Sequence, residues 1–109
     1  MINRIATKKA TRESVRREVV HELKCWPRFF DAIAEGRKRH DLRRSDDRDF
    51  QVGDRLLLRE YDPATKVYTG REQTVEITFV TSAEKPCALS ETALLSDFCI
   101  LSIAVTDDS

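Results

Sequence analysis

Between Glu72 and Val80 the chain alternates without a break, Val75, Ile77 and Phe79 against Thr74, Glu76 and Thr78. A period of two places one set on each face of a pleated strand, so this segment must be a strand with one face toward a core. A strand cannot bury its face alone, so the rest of the chain has to supply its neighbours. Arg55 to Tyr61 is the first candidate, with Leu56, Leu57 and Leu58 at its centre. Asp62-Pro63 opens a turn, with Pro63 at its favoured second position, and Gly70 closes the connection. The two strands are therefore expected to form a hairpin with a long loop over 62–70.

Upstream, Val19, Leu23 and Cys25 share one parity with His21, and Glu22, Lys24 and Trp26 share the other. A strand over Val19–Cys25 follows, with the first set inward. Pro27 then opens a helix, where its missing N–H costs nothing. Phe29, Phe30, Ile33 and Ala34 form an apolar stripe at helical spacing, and Gly36 stands where a left-handed C-terminal cap is expected. The helix is read as Pro27–Glu35. Alternation resumes over Arg37–Arg44, with Arg39, Asp41 and Arg43 on one face and His40 and Leu42 on the other. Ser45 to Asp49 is a charged loop, and Gln51-Val52-Gly53-Asp54 a tight turn into the next strand. Ser90 to Leu95 reads as a helical turn. Phe98–Val105 is a nearly continuous apolar run, expected to be a strand buried on both faces.

With 109 residues the chain supports one core. Residues 1–17 read as a loose or weakly helical arm with Thr11 as candidate cap, 18–105 as the domain, and 106–109 as a polar tail. The element order lacks a repeating β-α alternation, which excludes a doubly wound parallel sheet. It predicts a small α+β domain, a β-barrel of about five strands with one or two flanking helices.

Charge is uneven along the chain. Fourteen of the nineteen basic residues but only nine of the nineteen acidic ones fall in the first fifty positions. The net charge is zero, which rules out a uniformly basic nucleic-acid coat and permits a local basic face. No apolar run approaches the ~20 residues that a membrane helix needs, and no secretory signal is expected at the N-terminus. Cys25, Cys87 and Cys99 lack paired spacing and, with His21 and His40, give no metal-ligand pattern. Reduced thiols in a cytoplasmic protein without metal or cofactor are expected.

The basic cluster Arg37, Lys38, Arg39, Arg43, Arg44 and Arg48 is interleaved with Asp41, Asp46, Asp47 and Asp49. Guanidinium groups suit phosphate, whereas interleaved carboxylates suit a solvated loop. A nucleic-acid site would use Lys24, Lys38, Arg43, Arg59 and Arg71 on phosphate or base edges, with Trp26 or Tyr61 stacking on a base. An enzyme site would use Lys38 as an activated base with Asp41 as its partner, which requires burial or neighbouring cations to lower the lysine pKa. A third reading is an adapter whose mixed-charge loop 44–50 docks a protein partner.

The stretches His21-Glu22-Leu23-Lys24-Cys25-Trp26-Pro27, Phe30 to Lys38, Asp47 to Asp54, Leu58 to Pro63, Tyr68 to Glu72 and Cys99 to Ile103 together resemble an ASCH-type domain of the PUA-like superfamily. Within it they resemble a small bacterial and phage family of unknown function. The resemblance spans about residues 18 to 103, with a gap near 82–97. It implies a small β-barrel with flanking helices and a cleft that handles RNA or a modified nucleoside. The ASCH pattern Gly-x-Lys-x-x-(acidic or Thr)-x-Arg stands here as Gly36, Lys38, Asp41 and Arg43. In one similar branch, amidohydrolases deacylate a modified cytidine with a Lys, a Thr and a Glu. Lys38 matches that lysine, Asp41 stands at the threonine, and the glutamate has no assigned counterpart.

Overall fold

The computed structural model describes residues 19–106, so the arm assigned to 1–17 and the tail beyond 106 lie outside the described residues. The strands are β1 (Val20–Cys25), β2 (His40–Arg44), β3 (Arg55–Asp62), β4 (Val67–Ser82) and β5 (Phe98–Val105), with the helix α1 (Pro27–Ala34) between β1 and β2. They form one sheet in the order β1-β3-β4-β5-β2, curved into a half-barrel. The domain is mostly sheet with one short helix, so the α+β expectation holds only loosely.

All neighbouring strands are antiparallel except β1 and β3, which run parallel with His21 opposite Leu56 and Lys24 opposite Arg59. A parallel pair needs a crossover. Here α1 carries the chain from one sheet edge to the other, where β2 is laid down, and the loop 45–54 brings it back beside β1. Trp26 precedes Pro27 in an extended conformation (ψ 151°), and its carbonyl accepts the first helical amides, Phe29 at 3.0 Å and Phe30 at 2.8 Å. Gly36 at φ 80° reverses the chain, and the amides of Arg37 and Lys38 both return to the Ala32 carbonyl. A side chain is strained at that φ, which is why glycine ends the helix.

The core is the inward parity of three strands: Leu56 and Leu58, Val75 and Ile77, Cys99, Leu101 and Ile103, closed by Phe30 and Ile33 of α1 and Phe50 of the loop. Several expectations are corrected. In the helix stripe Phe30 and Ile33 are core, Phe29 is half-buried and packed against it, and Ala34 is exposed. The β5 run is buried on one face only, Phe98, Ile100 and Ser102 being half-exposed. The hairpin loop is short, because Tyr61 pairs with Tyr68 and Asp62 with Val67, which leaves only 63–66 to turn. Residues 90–95 make turns and no helix. In β2 the polar face points inward: Asp41 is 9% exposed and Leu42 54%.

Candidate functional site

Two free strand edges, β1 and β2, come together where the half-barrel stops short of closing. Arg43 bridges them. Its Nε donates to Asp41 Oδ2 at 2.8 Å and its Nη2 to the backbone carbonyl of Lys24 at 2.8 Å. This explains the inward polar face of β2, since Asp41 and Arg43 neutralise one another while the guanidinium satisfies an edge carbonyl.

Beside this bridge lies a cleft of about 350 Å³ lined by Glu22, Lys24, Arg43, Arg48, Arg59 and Tyr68. Four cations thus face one carboxylate. The register fixes most of them. Lys24 and Arg59 are opposite across β1 and β3, and Arg59 and Glu72 opposite across β3 and β4. Arg59 Nε donates to Glu72 Oε2 at 3.1 Å, its Nη1 lies 3.9 Å from Glu22, and its guanidinium sits 4.0 Å over the Tyr68 ring. Lys24 Nζ covers Tyr61 at 4.4 Å, and the two tyrosine rings meet edge-on at 5.2 Å. Arg48 arrives from the loop. Its neighbour Phe50 packs on His21 with centroids 4.7 Å apart, and His21 Nε2 lies 2.9 Å from Asp54 Oδ2, which also accepts the Gln51 amide at 3.1 Å. That buried anchor holds the loop against β1.

A second polar group lies inside, at the end of the core beneath α1. Glu60 is 4% exposed and accepts Thr69 Oγ1 at 2.6 Å and Arg71 Nη1 at 3.4 Å. The pairing shifts register between Arg59 and Tyr61, so that 69–71 bulge opposite Glu60, with Gly70 at φ 97°. Bulges of this kind re-aim side chains. Arg71 also reaches Asp31 of α1 at 2.9 Å, and the buried Gln73 Nε2 donates to the Phe30 carbonyl at 2.9 Å. Burial first, and then the Asp41 charge, push the Cys25 thiol up to about 11, Glu60 adding to the rise while Arg43 and Lys38 oppose it. Burial also raises the Cys99 thiol, against a lowering hydrogen bond from Ser45.

Of the residues expected in a nucleic-acid site, Lys24, Arg43 and Arg59 share the cleft and Tyr61 stands behind Lys24. The others separate from it. Trp26, 50% exposed, stacks on Phe29 with centroids 6.1 Å apart. Lys38 lies 5.6 Å from the Phe29 ring and 3.5 Å from His40 Nε2, and it lines a different hollow with Gly36 and Ile103. Arg71 is engaged under the helix. Asp41 pairs with Arg43 and not with Lys38. Sequence reasoning had Arg48 in the basic cluster though not among the site residues, and it missed Tyr68 in the cleft and Glu60 and Gln73 inside. For Glu60 the signal was present, since it continues the inward parity of Leu56 and Leu58. Tyr68 needed the hairpin register. Among the described residues no cluster of three metal-capable side chains occurs, and no helix is long and apolar enough to cross a membrane.

The profile of a domain of unknown function, DUF3850, matches residues 20–103, from the start of β1 through all but the last two residues of β5. The chain belongs to this family. An uncharacterized 12.9 kDa protein in the GpA 3′ region of Escherichia phage P2 is 40% identical over 62 residues, or 57% of this chain and 54% of that protein. The chain thus spans about half the length of this phage relative.

Proposed function

We propose that this DUF3850 domain binds nucleic acid, with RNA as the ligand class, through the cleft beside the β1–β2 seam. The observation that carries the reading is the convergence of Lys24, Arg43, Arg48 and Arg59 on one cleft of about 350 Å³. A concave site with cationic walls concentrates phosphate, and a guanidinium offers it two parallel hydrogen bonds. Arg43 is held by two hydrogen bonds before any ligand arrives, so little of its side-chain freedom is lost on binding. The resemblance of Gly36, Lys38, Asp41 and Arg43 to the ASCH pattern supports a nucleic-acid ligand, with Arg43 the member of that pattern that lines this cleft.

The test is anisotropy of a labelled single-stranded RNA across about 50 to 200 mM salt. Each phosphate contact contributes a slope of about −0.7 in log K against log salt, so engagement of three or four cations gives about −2 to −3. The Lys24→Ala, Arg59→Ala double variant should lower both affinity and slope. Absence of saturable binding at the lowest salt sinks the reading.

A second reading has its own observation. Asp41 and Glu60 are buried carboxylates, and Glu60 stands opposite Cys25 across β1 and β3. On this reading an amidohydrolase acting on a modified nucleoside would use Lys38 as base, and Asp41, held by Arg43 in this conformation, would have to exchange that partner to serve Lys38. Hydrolysis of an acylated nucleoside that is abolished in Lys38→Ala, with an unchanged circular dichroism spectrum, is the expected result. Turnover that survives the substitution removes Lys38 from the role. Capture of a protein after nuclease treatment, with neither RNA binding nor turnover, would favour an adapter acting through loop 44–50.

A further inference from the structure

The basic cleft has a neighbour. A cavity of about 600 Å³ lies between the loop 45–52 and the end of β4, and Arg48 lines both hollows. Their chemistry differs. Around the cleft the walls are cationic. In the larger cavity Phe50, Phe79 and Val80 stand beside hydrogen-bonding groups and charges of both signs, Ser45 and Ser82 with Asp49, Glu84 and Lys85. Both volumes fall in the range of sites that hold small organic ligands, about 300–1,000 Å³.

Phe79 is the feature that calls for an explanation. It is 60% exposed in a strand whose inward parity is otherwise buried up to Ile77. The pairing with β5 shifts register between Ile77 and Phe79, and this bulge turns the ring out of the core and against the cavity. A large aromatic side chain left in water beside hydrogen-bonding groups is a stacking surface for a planar ring. Arg48 is also less committed than the other arginines of the cleft. Arg43 makes two hydrogen bonds at 2.8 Å and Arg59 one at 3.1 Å to Glu72, whereas Arg48 lies 3.9 Å from Asp47 and 5.9 Å from the Phe50 ring.

We infer that one nucleotide unit spans both hollows, its heterocycle against Phe79 in the larger cavity and its phosphate among Lys24, Arg43 and Arg59, with Arg48 at the join. The inference rests on the reading of the cleft as a phosphate site and adds a ring site to it. A chain of RNA would then be gripped through one nucleotide turned into the protein. Recognition would be more than a run of backbone contacts.

Calorimetric or NMR titration of the full chain with inorganic phosphate, a nucleoside and the matching nucleoside monophosphate tests it, with each of the four common bases. The monophosphate should bind about five- to 150-fold tighter than phosphate alone, the range that stacking one base on an aromatic ring supplies. Phe79→Ala should erase that gain while phosphate binding stays the same, and Arg48→Ala should weaken monophosphate and phosphate alike. Because Phe79 lies outside the core, its loss leaves the fold in place. Phosphate binding with no gain from the ring overturns the inference and spares the cleft, as does a gain that survives Phe79→Ala. Binding of single-stranded RNA without binding of any monophosphate also overturns it while the proposed function stands. Failure of phosphate, nucleotides and RNA together removes both.

Discussion

The middle of the half-barrel and its end beneath α1 are built on opposite terms. In the middle, Leu56, Leu58, Val75, Ile77 and Leu101 are fully buried and purely apolar. At the end, the inward positions are Cys25, Asp41, Glu60 and Gln73; Glu60 and Gln73 meet partners on other elements, Thr69 and Arg71 of β4 and the Phe30 carbonyl of α1, while Asp41 pairs with Arg43 within β2. Apolar burial is worth roughly 25 cal/mol per Å² and asks for no direction. A buried carboxylate stabilises nothing unless its donors are in place. The first region holds the sheet together, and the second fixes where α1, β2 and the β4 bulge must sit. Chemistry that depends on geometry belongs at the second.

The largest effect should come from the apolar region. Leu58→Ala removes a side chain with no access to solvent and should cost about 2–5 kcal/mol in denaturant unfolding, with RNA affinity per folded molecule unchanged. A loss of affinity beyond the loss of folded protein would show that the two regions are not separable. Next in size is a pH effect at the polar end. The folded Cys25 thiol holds its proton up to about 11, against 9.0 for the ordinary thiol. The unfolded chain therefore binds fewer protons between these values, and stability falls as pH rises through that window, by up to about 3 kcal/mol. Cys25→Ala should flatten this fall. In native protein near pH 8 an aromatic disulfide reagent should titrate the exposed Cys87 first, with Cys25 and Cys99 reacting only on unfolding.

Glu60→Ala leaves the Thr69 hydroxyl and one Arg71 bond without their acceptor and should cost about 1–3 kcal/mol. Glu60→Gln keeps an acceptor for Thr69 and should cost less. Equal losses in the two variants would mean that the charge, and not the hydrogen bond, matters at this end. The smallest effect lies on the exposed sheet face. Glu72→Gln releases Arg59 from a solvent-facing pair and should change stability by less than about 1 kcal/mol. It should raise RNA affinity above that of Glu91→Gln, which makes the same charge change outside the cleft. Equal affinities would show that Glu72 does not compete with phosphate for Arg59.

What could be read from the sequence follows from which forces are local. The parities of β1 and β4 were legible because Leu23, Val75 and Ile77 leave water for a core whatever the topology, whereas the three consecutive leucines 56–58 marked β3 as a strand without showing its inward face. The helix was legible from Pro27 and Gly36, which act within one turn. Alternation in β2 showed two faces but could not say which was inward. That choice was made by Arg43 reaching the Lys24 carbonyl nineteen residues away in sequence. The parallel pairing of β1 with β3 and the bulge opposite Glu60 were hidden for the same reason. Lys24, Arg43 and Arg59 were named for the site from their residue types and Arg48 as part of the basic cluster, whereas Tyr68 depended on the hairpin register and the placing of Arg48 on a loop held by His21 and Asp54. Trp26 and Lys38, singled out by type and position, end outside the cleft.

The Arg43 bridge bears on how the protein behaves in a crowded solution. An open five-stranded sheet offers two rows of unsatisfied backbone groups, the usual template on which another chain adds a strand. Curvature turns these rows toward each other, and one guanidinium ties them. A partner strand from another molecule would have to enter a gap already crossed by a charged side chain. Loosening that tie should therefore show itself first as oligomers at high concentration, well before any loss of the folded monomer.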